Sequence, residues 1–163
     1  MNKIILLDSG LLGLIVHSNK NEKEKTFECQ QWFKKIVSNN LIYIPEIIDY
    51  ESRRALIRRK LIQSIERLDD LEKLKNVNSI PITKEIFVKA AELWAWARNT
   101  GQATAKDTAI DIDVILAATA IITSQNEGKT TIIVTTNVKH LQRYHTDTKN
   151  WQDEYWLKKT TQI

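Results

Sequence analysis

Glycine, proline, cysteine and methionine are all scarce in this chain: four glycines, two prolines, one cysteine and one methionine in 163 residues. Each shortage excludes something. With so few glycines there is no GxxxxGK[ST] phosphate loop and no GxGxxG dinucleotide fingerprint. One cysteine, Cys29, excludes an internal disulfide and a cysteine-based zinc site. It falls on an apolar helical face and reads as a buried structural thiol. There are no proline-rich or low-complexity linkers and no internal repeats. No apolar run approaches the length of a membrane span, and the one after Met1 is broken by Asp8, so it is no secretory signal. A cytoplasmic protein is expected, with no membrane partner. His17, His140 and His145 lack metal-ligand spacing and read as surface or turn residues. No paired acidic cluster follows the first strand, as a phosphorylated-aspartate receiver would need.

What remains is an ordinary globular composition, 42% hydrophobic and 27% charged, of a size that fills one domain over 1–163. The net charge of +4 is compatible with a polyanionic partner. Lys3–Leu7, Leu41–Ile44 and Thr131–Thr135 are short β-branched and leucine-rich runs, so they read as buried strands. Asn78–Ile82 is a weaker strand, and Pro81 puts it at an edge or a strand end. Helices are expected over Leu11–Val16, around Cys29, Trp32, Phe33, Ile36 and Val37, and from Glu46 to about Lys60. Further helices are expected after Ser64 and Thr83 as caps, and from Asp111 to a stop at Gly128. In the helix after Thr83, Ile86, Ala90, Leu93 and Ala97 form a stripe that Trp94 and Trp96 widen, and Gly101 ends it. Ser18–Lys25 reads as a loop or the exposed start of a helix. After Arg143, Tyr144, Trp151, Tyr155 and Trp156 punctuate a polar stretch that suits either a last strand or a partner's surface. Interleaved strands and helices predict an α/β fold, with a parallel-rich sheet between two helical layers.

In such a sheet functional groups gather beyond the carboxyl ends of the strands. Asp8 and Asn137 follow strands directly. Glu51 lies a turn or two into a helix that follows another, with Glu46 and Asp49 as competitors. Glu46 suits the first turn of that helix, where a negative charge complements the dipole. Asp111 and Asp113 open the Val114–Ala120 helix; two residues apart, they cannot face the same way. One should reach the site while the other caps. Carboxylates and an amide are hard oxygen ligands that suit Mg²⁺ or Mn²⁺. The basic stretch Arg53–Lys60, taken alone, reads as a solvated helix face.

The chain resembles the PIN-domain ribonucleases, especially the VapC-type toxins of toxin–antitoxin pairs. The resemblance is carried by Leu6–Gly13 (LLDSGLLG), Ile44–Leu56 (IPEIIDYESRRAL), Asp113–Ala120 (DVILAATA) and Val134–Leu141 (VTTNVKHL), in the family's order. It implies a PIN-like three-layer α/β/α domain with an acidic pocket for Mg²⁺, or Mn²⁺. It assigns the three metal-holding acids to Asp8, Glu51 and Asp113, with Glu51 preferred to Glu46 because SRRAL follows it. The fourth position, Asp or Asn in the family, falls on Asn137, whose amide adds no charge and argues against a second tightly held metal. Asp111 is an extra carboxylate. Ser9 fits the hydroxyl residue that follows the first acid, and Arg53 and Arg54 are expected to contact the RNA backbone. The resemblance further implies endoribonuclease activity, a homodimer and a cognate antitoxin. A PIN-like module that binds RNA or protein without cleaving it is the competing expectation.

Overall fold

The strand Ile4–Leu7 (β1) has no solvent-exposed residue: all four side chains are fully buried. That is the signature of a strand covered on both faces and paired on both edges. Each such side chain is worth about 1.5–3 kcal/mol of burial. The computed structural model describes residues 3–18 and 23–153. In it β1 lies at the centre of a five-stranded sheet, with Leu41–Pro45 (β2) on one side and Thr131–Thr135 (β4) on the other. Val77–Ile80 (β3) and Thr148–Asn150 (β5) form the edges, in the order β3-β2-β1-β4-β5. Every pairing is parallel; Ile4 faces Leu41 and Thr131 in register.

The helices are Ser9–Val16 (α1), Glu24–Val37 (α2), Glu46–Arg58 (α3), Ile62–Leu71 (α4), Lys84–Asn99 (α5), Ile112–Glu127 (α6) and Val138–Leu141 (α7). Helices α1 to α4 pack on one another, as do α5, α6 and α7. Right-handed crossovers put these groups on opposite faces of the sheet, because the chain first steps from β1 towards β3 and then jumps back past β1 to β4. The expected three-layer α/β/α arrangement is therefore present. The reversal makes a topological switch point at the carboxyl ends of β1 and β4, where such sheets bind their ligands, and Asp8 and the 135–137 turn stand there.

Local chemistry explains most boundaries. The Thr83 side chain caps α5 by accepting from the Ile86 amide, 3.3 Å away. Gly128 ends α6 in the left-handed conformation at φ 62°. On α2, Cys29, Trp32, Phe33 and Ile36 are buried, and Val37 packs against them from the rim. On α5, Ile86, Ala90 and Ala97 are buried, Leu93 and Trp94 pack at the margin, and Trp96 edges onto Tyr144.

Four expectations need correction. Ser64 does not cap a helix: α4 begins at Ile62, and the Ser64 hydroxyl is buried inside it, 3.0 Å from that of Ser18. A serine that looks like a cap can equally bond a neighbouring segment from mid-helix. Helix α3 stops at Arg58, and Lys60 turns the chain at φ 57°. Strand β3 occupies Val77–Ile80, ending just before Pro81, which has no N–H to give a ladder. The first helix starts at Ser9, two residues earlier than its apolar pattern. Residues 144–151 pack on the protein itself: β5 extends the sheet, Tyr144 and Trp151 are buried, and Trp151 meets Trp32 edge-on at 6.1 Å. Tyr155 and Trp156 lie outside the described residues. Of the Ser18–Lys25 stretch, 19–22 are likewise outside, and Glu24 already belongs to α2.

Candidate functional site

Asp8 ends β1 and begins α1, so its carboxylate is fixed from two sides. Oδ1 accepts from the Ser9 amide at 2.7 Å. Oδ2 accepts from the Thr135 hydroxyl at 2.6 Å. The same hydroxyl accepts from the Asn137 backbone amide at 2.9 Å. Thr135 is fully buried, so these two bonds also satisfy a hydroxyl that would be costly to leave unpaired. The ends of β1 and β4 are thereby tied together through the first acid. Gly10 belongs to the same seam: a β-carbon there would stand 2.9 Å from the Thr136 hydroxyl oxygen.

Asp111 and Asp113 divide their work as two residues of opposite helical face must. Asp111 is the buried cap of α6, with Oδ1 accepting from the Val114 amide at 3.3 Å. Its Oδ2 accepts from the Thr104 hydroxyl at 2.9 Å, and that hydroxyl lies 2.9 Å from the Tyr144 hydroxyl. Asp113, in the first turn, is partly buried with its Oδ2 3.8 Å from Nδ1 of His140 on α7. Burial first, then the charges of Asp8 and Asp111, push its pKa up to about 6; Glu51 adds to the push, while His140 opposes it. Asp8 is also raised, chiefly by burial and against the pull of the Thr135 and Ser9 hydrogen bonds, with Glu51 adding repulsion.

Glu51 is the α3 acid that faces this pair, since its charge acts on both. Its competitors are otherwise engaged. Glu46 accepts from the Ile82 amide at 3.2 Å, a structural role in the first turn. Asp49 holds Arg53 through two hydrogen bonds of 2.8 and 2.9 Å. Arg53 also reaches Asp69 of α4 at 2.8 Å. Those carboxylates, Asp49 first, raise the Arg53 pKa. Arg53 therefore bolts α3 to α4 and is not free for a substrate. Arg54, over half exposed, lies 3.7 Å from Glu51. Ser9 stands beside Asp8 with its amide, and Asn137 enters through its backbone at the start of α7.

Two residues of the site escaped the sequence reading. Thr135 looks like any strand residue until its hydroxyl is seen to face Asp8; its spacing of two from Asn137 was the signal. His140 lies on α7 with Nδ1 3.8 Å from Asp113 Oδ2. One turn after Asn137, it shares that residue's side of the helix, which the lack of histidine-to-histidine spacing hid.

The donor set fits a hard divalent cation: carboxylate oxygens from three elements repel one another, and a cation relieves that repulsion. Among the described residues, no three His, Cys, Asp or Glu side chains converge tightly enough to enclose an ion by themselves. Mg²⁺ commonly takes one or two carboxylates and completes its shell with water and substrate phosphate.

The sequence profile of the PIN domain matches residues 5–143, from β1 to just past α7. The chain belongs to the PIN-domain family. Sequence comparison with curated proteins finds no match. Among solved structures, the chain is similar to VapBC2 from Rickettsia felis bound to a DNA fragment from its promoter. The TM-score there is 0.67 at 20% identity, covering 91% of this chain and 99% of that one. It is also similar to VapBC-1 from nontypeable Haemophilus influenzae, with a TM-score of 0.60 at 19% identity, covering 92% and 99%. A third is VapC20 of Mycobacterium tuberculosis, described as a sarcin–ricin loop cleaving toxin. Its TM-score is 0.52 at 11% identity, covering 83% and 92%. The fold of this PIN-domain protein is thus that of VapC-type domains. No helix among the described residues is long and apolar enough to cross a membrane.

Proposed function

We propose that this PIN-domain protein is a metal-dependent endoribonuclease and the toxin of a type II toxin–antitoxin pair. The observation that carries the reading is the set of acids beyond the carboxyl ends of the central strands, where burial and the charges of Asp8, Asp111 and Glu51 push the Asp113 pKa up to about 6. Mutually repelling, partly buried carboxylates cost the fold stability, and a bound cation relieves that cost. Three similar structures support the class of reaction and of partner, two of them VapBC assemblies and one an RNA-loop-cleaving toxin.

Asp8, Glu51 and Asp113 would hold Mg²⁺, with Mn²⁺ as its substitute. The ion supplies charge neutralisation on the scissile phosphate and a bound water of lowered pKa. Thr135 and the Ser9 amide lock the Asp8 carboxylate in one orientation, so that little reorganisation is needed when substrate arrives. The Asn137 side chain orients a water or the phosphate without adding charge. Arg54 meets the RNA backbone at the edge of the site, and binding there weakens as salt rises. A homodimer, and an antitoxin that covers the acid pocket with a basic side chain, complete the proposal.

The test is cleavage of total cellular RNA with Mg²⁺ or Mn²⁺, comparing the wild type, Asp8→Asn and an EDTA control. Discrete products that need metal and vanish in the variant are expected, and their mapped ends identify the substrate. Products that persist in Asp8→Asn would overturn the assigned site. A folded protein that binds metal and RNA yet leaves every RNA intact would establish the non-cleaving module.

A further inference from the structure

Helix α3 carries an exposed face beside the acid site. Tyr50 is 56% exposed and Ile57 58% exposed, both large for such positions. The Arg54 guanidinium lies over the Tyr50 ring, 5.3 Å from its centroid. Residues 50, 54 and 57–58 are spaced three and four apart and share one side of the helix. The charge on this side is positive beyond Glu51. Arg54, Arg58, Arg59 and Lys60 are exposed, while Glu46 and Asp49 are occupied by the Ile82 amide and by Arg53. An exposed aromatic ring interleaved with arginines is the equipment of a groove for single-stranded nucleic acid, where bases stack and cations follow the backbone.

We propose that this face of α3 is a subsite for an unpaired RNA segment, with a base stacked on Tyr50 and Arg54 and Arg58 on the flanking phosphates. The choice of RNA rests on the nuclease reading of the adjoining acids. Arg54 lies over the Tyr50 ring and 3.7 Å from Glu51, so a nucleotide held on the ring lies close to the proposed cleavage site. The Arg54–Glu51 ion pair is long, at 3.7 Å, and its arginine is over half exposed. Such a pair is weak, so Arg54 exchanges Glu51 for a phosphate at little cost. A second copy of the chain fits less well: an isologous contact through this face would set Arg54 and Arg58 against their own counterparts. A duplex fits less well too, because its bases are already stacked.

The probe is a fluorescein-labelled unstructured RNA dodecamer, titrated in EDTA and read by fluorescence anisotropy, with an RNA duplex of equal length alongside. Tyr50→Ala weakens single-strand binding about tenfold, and Tyr50→Phe, which keeps the ring, leaves it near wild type. Arg54→Gln lowers the slope of log affinity against log salt by about one. Duplex binding does not respond to Tyr50→Ala. Unchanged single-strand binding by Tyr50→Ala overturns the proposal, as does an equal loss for the duplex. A dimer that Tyr50→Ala converts to monomer overturns it as well, by giving the face to a second copy. Because the titration needs no metal, it separates the two readings. Ring-dependent binding by a protein that cleaves nothing keeps the subsite and removes the nuclease. Metal-dependent cleavage with an unchanged KM in Tyr50→Ala does the reverse.

Discussion

Replacing Asp113 by Asn should make the protein more stable and inactive at once. Asn keeps the size of the side chain and removes its charge. In the folded chain the Asp113 pKa is raised from 3.8 to about 6, burial being the largest cause. Between those two values the folded state still holds a proton that the unfolded state has released. Stability therefore falls as pH rises through this window, and the full penalty is present above about pH 6. At about 1.36 kcal/mol per pH unit the ceiling is about 3 kcal/mol. The side chain is 32% exposed, so solvent screening reduces this to roughly half, about 1.5 kcal/mol. For a chain of 163 residues that is a rise in Tm of about 3–6 °C. The assay is thermal melting followed by circular dichroism in EDTA, at pH 5 and at pH 8. The variant should melt above the wild type at pH 8, and the gap should narrow at pH 5. Mg²⁺ at a hundred times its Kd should then raise the wild type by about 2.7 kcal/mol, and the variant by much less. A variant that melts at or below the wild type at pH 8 without metal would refute the claim that Asp113 is held charged against its surroundings.

Thr135→Val leaves Asp8 and the Asn137 amide each short of a partner, so a loss of about 1–3 kcal/mol is expected in urea unfolding, with a lower kcat. Asp111→Ala removes the cap of α6 and the Thr104 acceptor and should cost about 1–2 kcal/mol; Asp111→Asn should cost clearly less, because Asn caps as well as Asp. Gly128→Ala forces a side chain into the left-handed conformation and should cost about 1 kcal/mol in the same assay, with activity intact.

The candidate acids stand out in the sequence because each obeys a local rule. A carboxylate after an apolar run marks a strand end, and two aspartates before an alanine-rich helix must split between cap and site. Glu51 was separable from Glu46 and Asp49 only through the motif that follows it; the physical reason lies in partners, the Ile82 amide and Arg53, that no spacing on α3 reveals. The ion pairs that hold Arg53 are hidden for the same cause, since Asp69 belongs to another helix. Thr135 was invisible because its partner is 127 residues away. Strand β5 was left open because Thr148–Asn150 is short and polar, and only the edge of β4 makes it a strand. What the sequence hid was consistently tertiary: a distant group that occupies, or completes, a side chain whose type was plain.

That 127-residue separation between Asp8 and Thr135 has a consequence for how the protein is born. Strand β1 is synthesised first, and its β4 neighbour last among the central strands. At about 5–20 residues per second, translation leaves Asp8 without its threonine for roughly 6–25 s. Helices and the β1–β2 pair can form during that interval, but the seam that orients the first acid cannot. Folding of this centre is thus a long-range closure and among the later events. A chain still tethered to its ribosome, surrounded by RNA, carries the acids of the site without the site.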